Sequence, residues 1–106
     1  MISVRFFSRS GATALTGFRV SGHSGVQGNS VVCAAVSSAC YMAANTLTDV
    51  LLLPADILLR DGLMQLRLDD GDVSKAQVIL EGLRIHLTQL AEQYPKEIQI
   101  DYSEVQ

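Results

Sequence analysis

The sequence predicts an α+β domain of order ββαββαβ, a mainly antiparallel sheet with two helices packed on one face. Three observations predict it. Short alternating segments open the chain, recur around residue 62 and close the chain. Two long segments with helical character, 31–52 and 74–93, each follow a pair of strands. The paired strands are joined by tight turns, which makes them antiparallel neighbours, and such strands leave one sheet face for the helices to cover.

Each element has its own reason. In "ISVRFFS" at 2–8, Ile2, Val4 and Phe6 alternate with Ser3, Arg5 and Phe7, the period of a half-buried strand. "SRSGA" turns the chain, and "ALTGFRV" at 14–20 returns with Phe18 and Val20 on one face. The run 31–52 is apolar and rich in Ala, and Pro54 ends it. Its length approaches that of a membrane span, but Ser37, Ser38, Asn45, Thr46, Thr48 and Asp49 interrupt it, and a charge at membrane depth is costly. A helix packed closely through Ala and Ser is expected instead. Asp61-Gly62 marks a hairpin between two short strands. From 74 to 93, Ala76, Ile79, Leu80, Leu83, Leu87, Leu90 and Ala91 keep helical spacing. Ser74 with Gln77 has the form of a capping box. After Pro95, Ile98, Ile100 and Tyr102 alternate as a last strand.

With 106 residues, the chain is expected to form a single domain, 1–106. The net charge of −3, without a run of Lys or Arg, argues against a grip on nucleic-acid phosphates. No nucleic acid and no membrane are expected as partners. The opening "MISVRFFSRSG" lacks a charged segment followed by an apolar one, so no signal peptide is expected. On one helix Cys33 and Cys40 stand roughly 10 Å apart, too far for a disulfide. Free thiols point to a reducing cytoplasm.

No metal or other cofactor is expected. Two His and two Cys at these separations give no zinc spacing. Asp69, Asp70 and Asp72 lack the alternating register and later glutamate of a calcium loop. His86, between the apolar stripes of its helix, reads as a surface residue, and Cys40 as core.

The chemistry-bearing stretch is "GHSGVQGNSVVCAAVS", Gly22 to Ser37. Ser30 is a good N-cap, which puts Val31, Val32 and Cys33 in the first helical turn. Unsatisfied N–H groups and the positive end of the dipole there favour an anionic sulfur, the form a nucleophile needs. Ser37 lies one turn further on the same face, within reach of the sulfur or a substrate. His23, at the end of a strand, can accept the thiol proton and return it to a leaving amine. The residues Ser24, Gly25, Val26, Gln27, Gly28 and Asn29 form an adaptable loop between them. The residue types alone leave a second reading open, because an Ala-rich helix is also a natural place for a packed, inert thiol.

"GHSG…VVCAAVSSACYMAAN" resembles the ribosomal-processing cysteine protease family (Prp). That family's motif is a Gly-His-small-Gly loop followed by Asp-Ile-Val-Cys-Ala-Ala-Val-Ser. The likeness runs over nearly the whole chain. It implies a homodimeric cysteine peptidase that removes the N-terminal leader of a bacterial large-subunit ribosomal protein. By position it makes Cys33 the nucleophile and His23 the base, with Gly22, Ser30 and Ser37 in support. The chain departs from the family at Ser30, where an acidic residue is usual, and in a somewhat shorter loop between His23 and Cys33. Two rival readings accompany it: a non-catalytic homologue that binds a ribosomal-protein leader or the ribosome, and a thiol redox sensor built on Cys33.

Overall fold

The structure is a computed structural model that describes residues 1–23, 30–69, 71 and 73–105. The elements follow the expected order: β1 (Ile2–Arg9), β2 (Leu15–Ser21), α1 (Val31–Asn45), β3 (Ala55–Arg60), β4 (Leu63–Leu68), α2 (Val73–Gln93) and β5 (Ile98–Val105). The five strands form one mixed sheet of order β3-β4-β2-β1-β5. β1 runs antiparallel to β2 and parallel to β5, and β4 runs antiparallel to both β2 and β3.

Strand register explains where the core lies. Val4 pairs with Val20 and Phe6 with Phe18. Phe18 in turn pairs with Leu66 and Val20 with Met64, while Ile2 pairs with Ile98. Successive strands therefore put their apolar residues on the same face, since side chains alternate with period two. Val32, Val36 and Cys40 of α1 and Ala76, Leu80, Leu83 and Leu87 of α2 join these residues in one buried cluster. The opposite face carries Ser3, Arg5, Arg19, Gln65, Arg67 and Asp101 in register, and no helix residue packs there within that cluster.

Two local expectations are corrected. The run 31–52 is not one α-helix, because α1 passes at Thr46 into a π-helical turn, Thr46–Val50. The Thr46 and Thr48 hydroxyls donate to the carbonyls of Met42 and Ala44 at 2.7 and 3.1 Å, competing with the regular ladder. The segment ends before Pro54, where Leu53 N–H donates to the Leu47 carbonyl across Leu52 at a φ of 55°. Val31–Val50 is long and apolar enough to cross a bilayer, yet Val32, Val36, Cys40, Ala43, Ala44 and Leu47 are buried in the core shared with the sheet.

The second correction concerns Gln77. Its helix begins at Val73 rather than after Ser74, and its side-chain amide donates back to the Val73 carbonyl at 2.7 Å. The same amide also brackets Leu15, accepting from the Leu15 N–H at 2.9 Å and donating to the Leu15 carbonyl at 2.7 Å. A partly buried strand start needs such partners more than a solvated helix end does, so Gln77 fastens β2 to α2.

Candidate active site

The end of β2 brings His23 into place. Gly22 has a φ of 86°, and a Cβ there would collide with the Met1 carbonyl oxygen, so glycine is required on both counts. Its N–H donates to the Gly62 carbonyl at 3.0 Å, tying the end of β2 to the β3–β4 turn. The Met1 amino group donates to the His23 carbonyl at 2.8 Å. The backbone on either side of the imidazole is thus held by two different segments. The ring itself lies over Gly62, close enough that a Cβ there would stand 2.9 Å from Nε2. Gly62 has a φ of 73° and is the seat of the ring.

The start of α1 brings in Cys33. Ser30 is extended, with φ −117° and ψ 159°, and its hydroxyl accepts from the Cys33 N–H at 3.1 Å. Its carbonyl accepts from Ala34 N–H at 3.2 Å. Ser30 is therefore the N-cap expected from sequence, and Cys33 stands at the third helical position. Cys33 is half-buried and packs against the edge of the core.

Between these two elements lies a pocket of about 130 Å³. Gly22 and Gly62 form one side of its wall, and Ser37, Cys40 and Tyr41 of α1 form another. Val20, Leu59, Leu63 and Met64 supply an apolar floor, and Arg60 borders it. The fold thus unites Gly22 and Ser37, fifteen positions apart in sequence, on one cavity. The expected loop, Ser24 to Asn29, lies outside the described residues.

The two cysteines differ in kind. Burial pushes the Cys40 thiol up to about 12, which keeps it neutral and unreactive at physiological pH. Cys40 belongs to the core and touches the pocket only with its outer edge. His86 is exposed on α2, as expected of a surface residue. Among the described residues no group of three His, Cys, Asp or Glu side chains converges as a metal site.

Sequence reasoning did not find Gly62, Tyr41 or Leu59. The Asp61-Gly62 dipeptide signals a turn, but nothing in it says that the turn folds back beneath the imidazole. The alternation of β3 gives no sign that Leu59 lines one pocket with Ser37 and Tyr41 of α1.

Known proteins bear directly on this arrangement. The family model for cysteine protease Prp matches residues 1–99. The essential ribosomal processing protease Prp of S. aureus, solved with a substrate peptide, is 25% identical, with a TM-score of 0.84 over 97% of this chain and 100% of that one. The same S. aureus protease, solved with a covalently linked product peptide, is also 25% identical, with a TM-score of 0.82 over the same shares of both chains. SMU.848 from Streptococcus mutans is 27% identical, with a TM-score of 0.83 over 99% of each chain. No curated protein sequence matches the chain. On the family match over residues 1–99, and on a fold it shares along its whole length with a processing protease, the chain belongs to the Prp family and is a cysteine-type peptidase.

Proposed function

We propose that this peptidase removes the N-terminal leader of a bacterial large-subunit ribosomal protein, with Cys33 as nucleophile and His23 as general base. The observation that carries the assignment is that the supports of both residues, though neither residue itself, line one pocket. The seat of His23, the glycine before it and the helix face one turn beyond Cys33 all line the same 130 Å³ cavity. A thiol capped into the first helical turn and an imidazole held at a strand end are the two groups that acyl transfer to sulfur requires.

In this mechanism His23 takes the Cys33 proton and the sulfur attacks the scissile carbonyl. The imidazolium then protonates the departing amine, leaving an acyl-enzyme. Water, deprotonated by the same imidazole, releases the leader and restores the thiol. Developing negative charge on the carbonyl oxygen is stabilised by the positive end of α1. Gly22 acts by letting the chain pass Met1, Ser30 by fixing the Cys33 backbone, and Ser37 by donating to the bound peptide. The covalently linked product peptide in the S. aureus protease supports a route through an acyl-enzyme.

The same reading makes the protein a cytoplasmic homodimer, acting where ribosomal proteins are made. The half-exposed Tyr41, Ile57 and Leu59 beside the pocket support a partner surface there.

The test is cleavage of the encoded N-terminal leader by wild type, Cys33→Ala and His23→Ala, with mass spectrometry of the quenched enzyme. Cys33→Ala should abolish cleavage, and His23→Ala should slow it by about 10²–10⁴-fold. Wild type should carry the acyl group on the peptide that contains Cys33. Cleavage persisting in Cys33→Ala would remove the assignment. Tight leader binding without cleavage by wild type would favour the non-catalytic reading.

A further inference from the structure

The sheet has one face without a helix, and its charge differs from that of the rest of the chain. By strand register Arg5, Arg9, Arg19, Arg60 and Arg67 share this face with Asp56 and Asp101. Five of the eight basic residues thus stand among two of the eleven acidic ones, in a chain whose net charge is −3. The linear sequence shows no basic stripe because these arginines come from four different strands.

The arrangement has a cost. Arg5 and Arg19 are direct cross-strand partners, and like charges in that relation oppose pairing. Asp101 partly offsets it, with an oxygen 2.9 Å from Arg5 Nε, and Arg19 donates to Gln65 at 3.4 Å. Between them runs a groove of about 400 Å³ lined by Arg5, Arg19, Asp101 and the hydroxyl-bearing Ser3 and Ser21. Beside it the Arg67 guanidinium lies 4.5 Å over the Phe7 ring. Phe7 is buried, yet it lies outside the core cluster, so its ring is covered on this face, where Arg67 packs over it.

We infer that the helix-free face of the sheet binds single-stranded RNA, with Arg5 and Arg19 on phosphates in the groove and the Arg67 plane beneath a base. Guanidinium groups and serine hydroxyls are the usual phosphate partners, and an arginine held flat offers a stacking surface. An acidic peptide would use the charge but not the flat plane, which is why RNA fits better. Asp101 competes with phosphate for Arg5, so binding exchanges one anion for another. The groove ends at Ser21, two residues before His23, so RNA bound there lies beside the candidate active site without occupying its pocket.

The experiment is fluorescence anisotropy of the full chain with a labelled oligouridine of about twenty nucleotides, between about 50 and 200 mM salt. Two phosphate contacts give a slope of log K against log salt of about −1.4. Arg19→Gln keeps a side chain able to bond Gln65, and should lower affinity and reduce the slope by about 0.7. Arg67→Gln should weaken binding further. Asp101→Asn should strengthen it, an effect that a merely structural role for these residues does not produce. Melting curves check folding, and cleavage of a short peptide by Arg19→Gln should match wild type. Absence of salt-dependent binding, or an unchanged slope and affinity in folded Arg19→Gln and Arg67→Gln, would overturn the proposal. So would a polyglutamate peptide bound as tightly as RNA, which would make the partner an acidic protein.

Discussion

The Ser30 hydroxyl accepts the backbone N–H of Cys33 at 3.1 Å, so the residue that caps α1 also fixes the main chain of the candidate nucleophile. Stability and chemistry are therefore linked at one side chain. Ser30→Ala should lower stability by about 1 kcal/mol, the usual loss at an N-cap, and slow cleavage as well. Ser30→Asp keeps an acceptor for the Cys33 N–H and places negative charge at the positive helix end, worth about 0.3–1 kcal/mol. We expect it to melt slightly higher and to cleave faster by orienting the imidazolium. Lower activity in a better-folded Ser30→Asp would mean that the dyad works without a carboxylate.

Gly62 tests whether the His23 ring is held by its seat. Gly62→Ala puts a methyl group 2.9 Å from His23 Nε2, at a position whose positive φ already disfavours side chains. Cleavage should fall by at least about tenfold, because small displacements of a catalytic group are costly. Stability should fall by only about 1–2 kcal/mol. Full activity in Gly62→Ala would show that the imidazole works from another position.

Cys40 provides a pH test with a defined sign. Its folded thiol ionises near 12, against 9.0 for the ordinary group, because burial disfavours the thiolate. A raised thiol value means that the folded state holds its proton after the unfolded state has lost it. This contribution is intact below pH about 9 and is lost as pH rises from there towards 12. Denaturant melts of wild type and Cys40→Ala should therefore converge in that window, at no more than about 1.4 kcal/mol per pH unit. At neutral pH an alkylating reagent should spare Cys40 in the folded protein. Rapid modification of Cys40 without unfolding would contradict its burial.

Leu52 ends the π-helical turn in a left-handed conformation, φ 55°, with its side chain largely exposed. A β-carbon there costs about 1 kcal/mol that glycine avoids. Leu52→Gly should leave the fold unchanged and raise the midpoint of urea denaturation slightly. Destabilisation by more than 1 kcal/mol would show that the leucine side chain makes a contact worth more than the strain it imposes.

The sequence by itself determined the order of elements, the apolar faces of β1 and the second helix, and the N-cap at Ser30. These depend on local periodicity and on groups no more than a helical turn apart, and both are written directly into neighbouring residues. It also carried the His23 and Cys33 motif, since residue types and spacing survive without coordinates. Tertiary structure decided the rest. Gln77 bound Leu15 as well as its own helix, Gly62 came to lie under His23, and arginines from four strands met on one face. The physical reason is the same for each. Strand order and register set which distant residues become neighbours, and no local pattern in β1, β2 or β4 encodes that β5 lies parallel beside β1 or that the β3–β4 turn folds against Gly22.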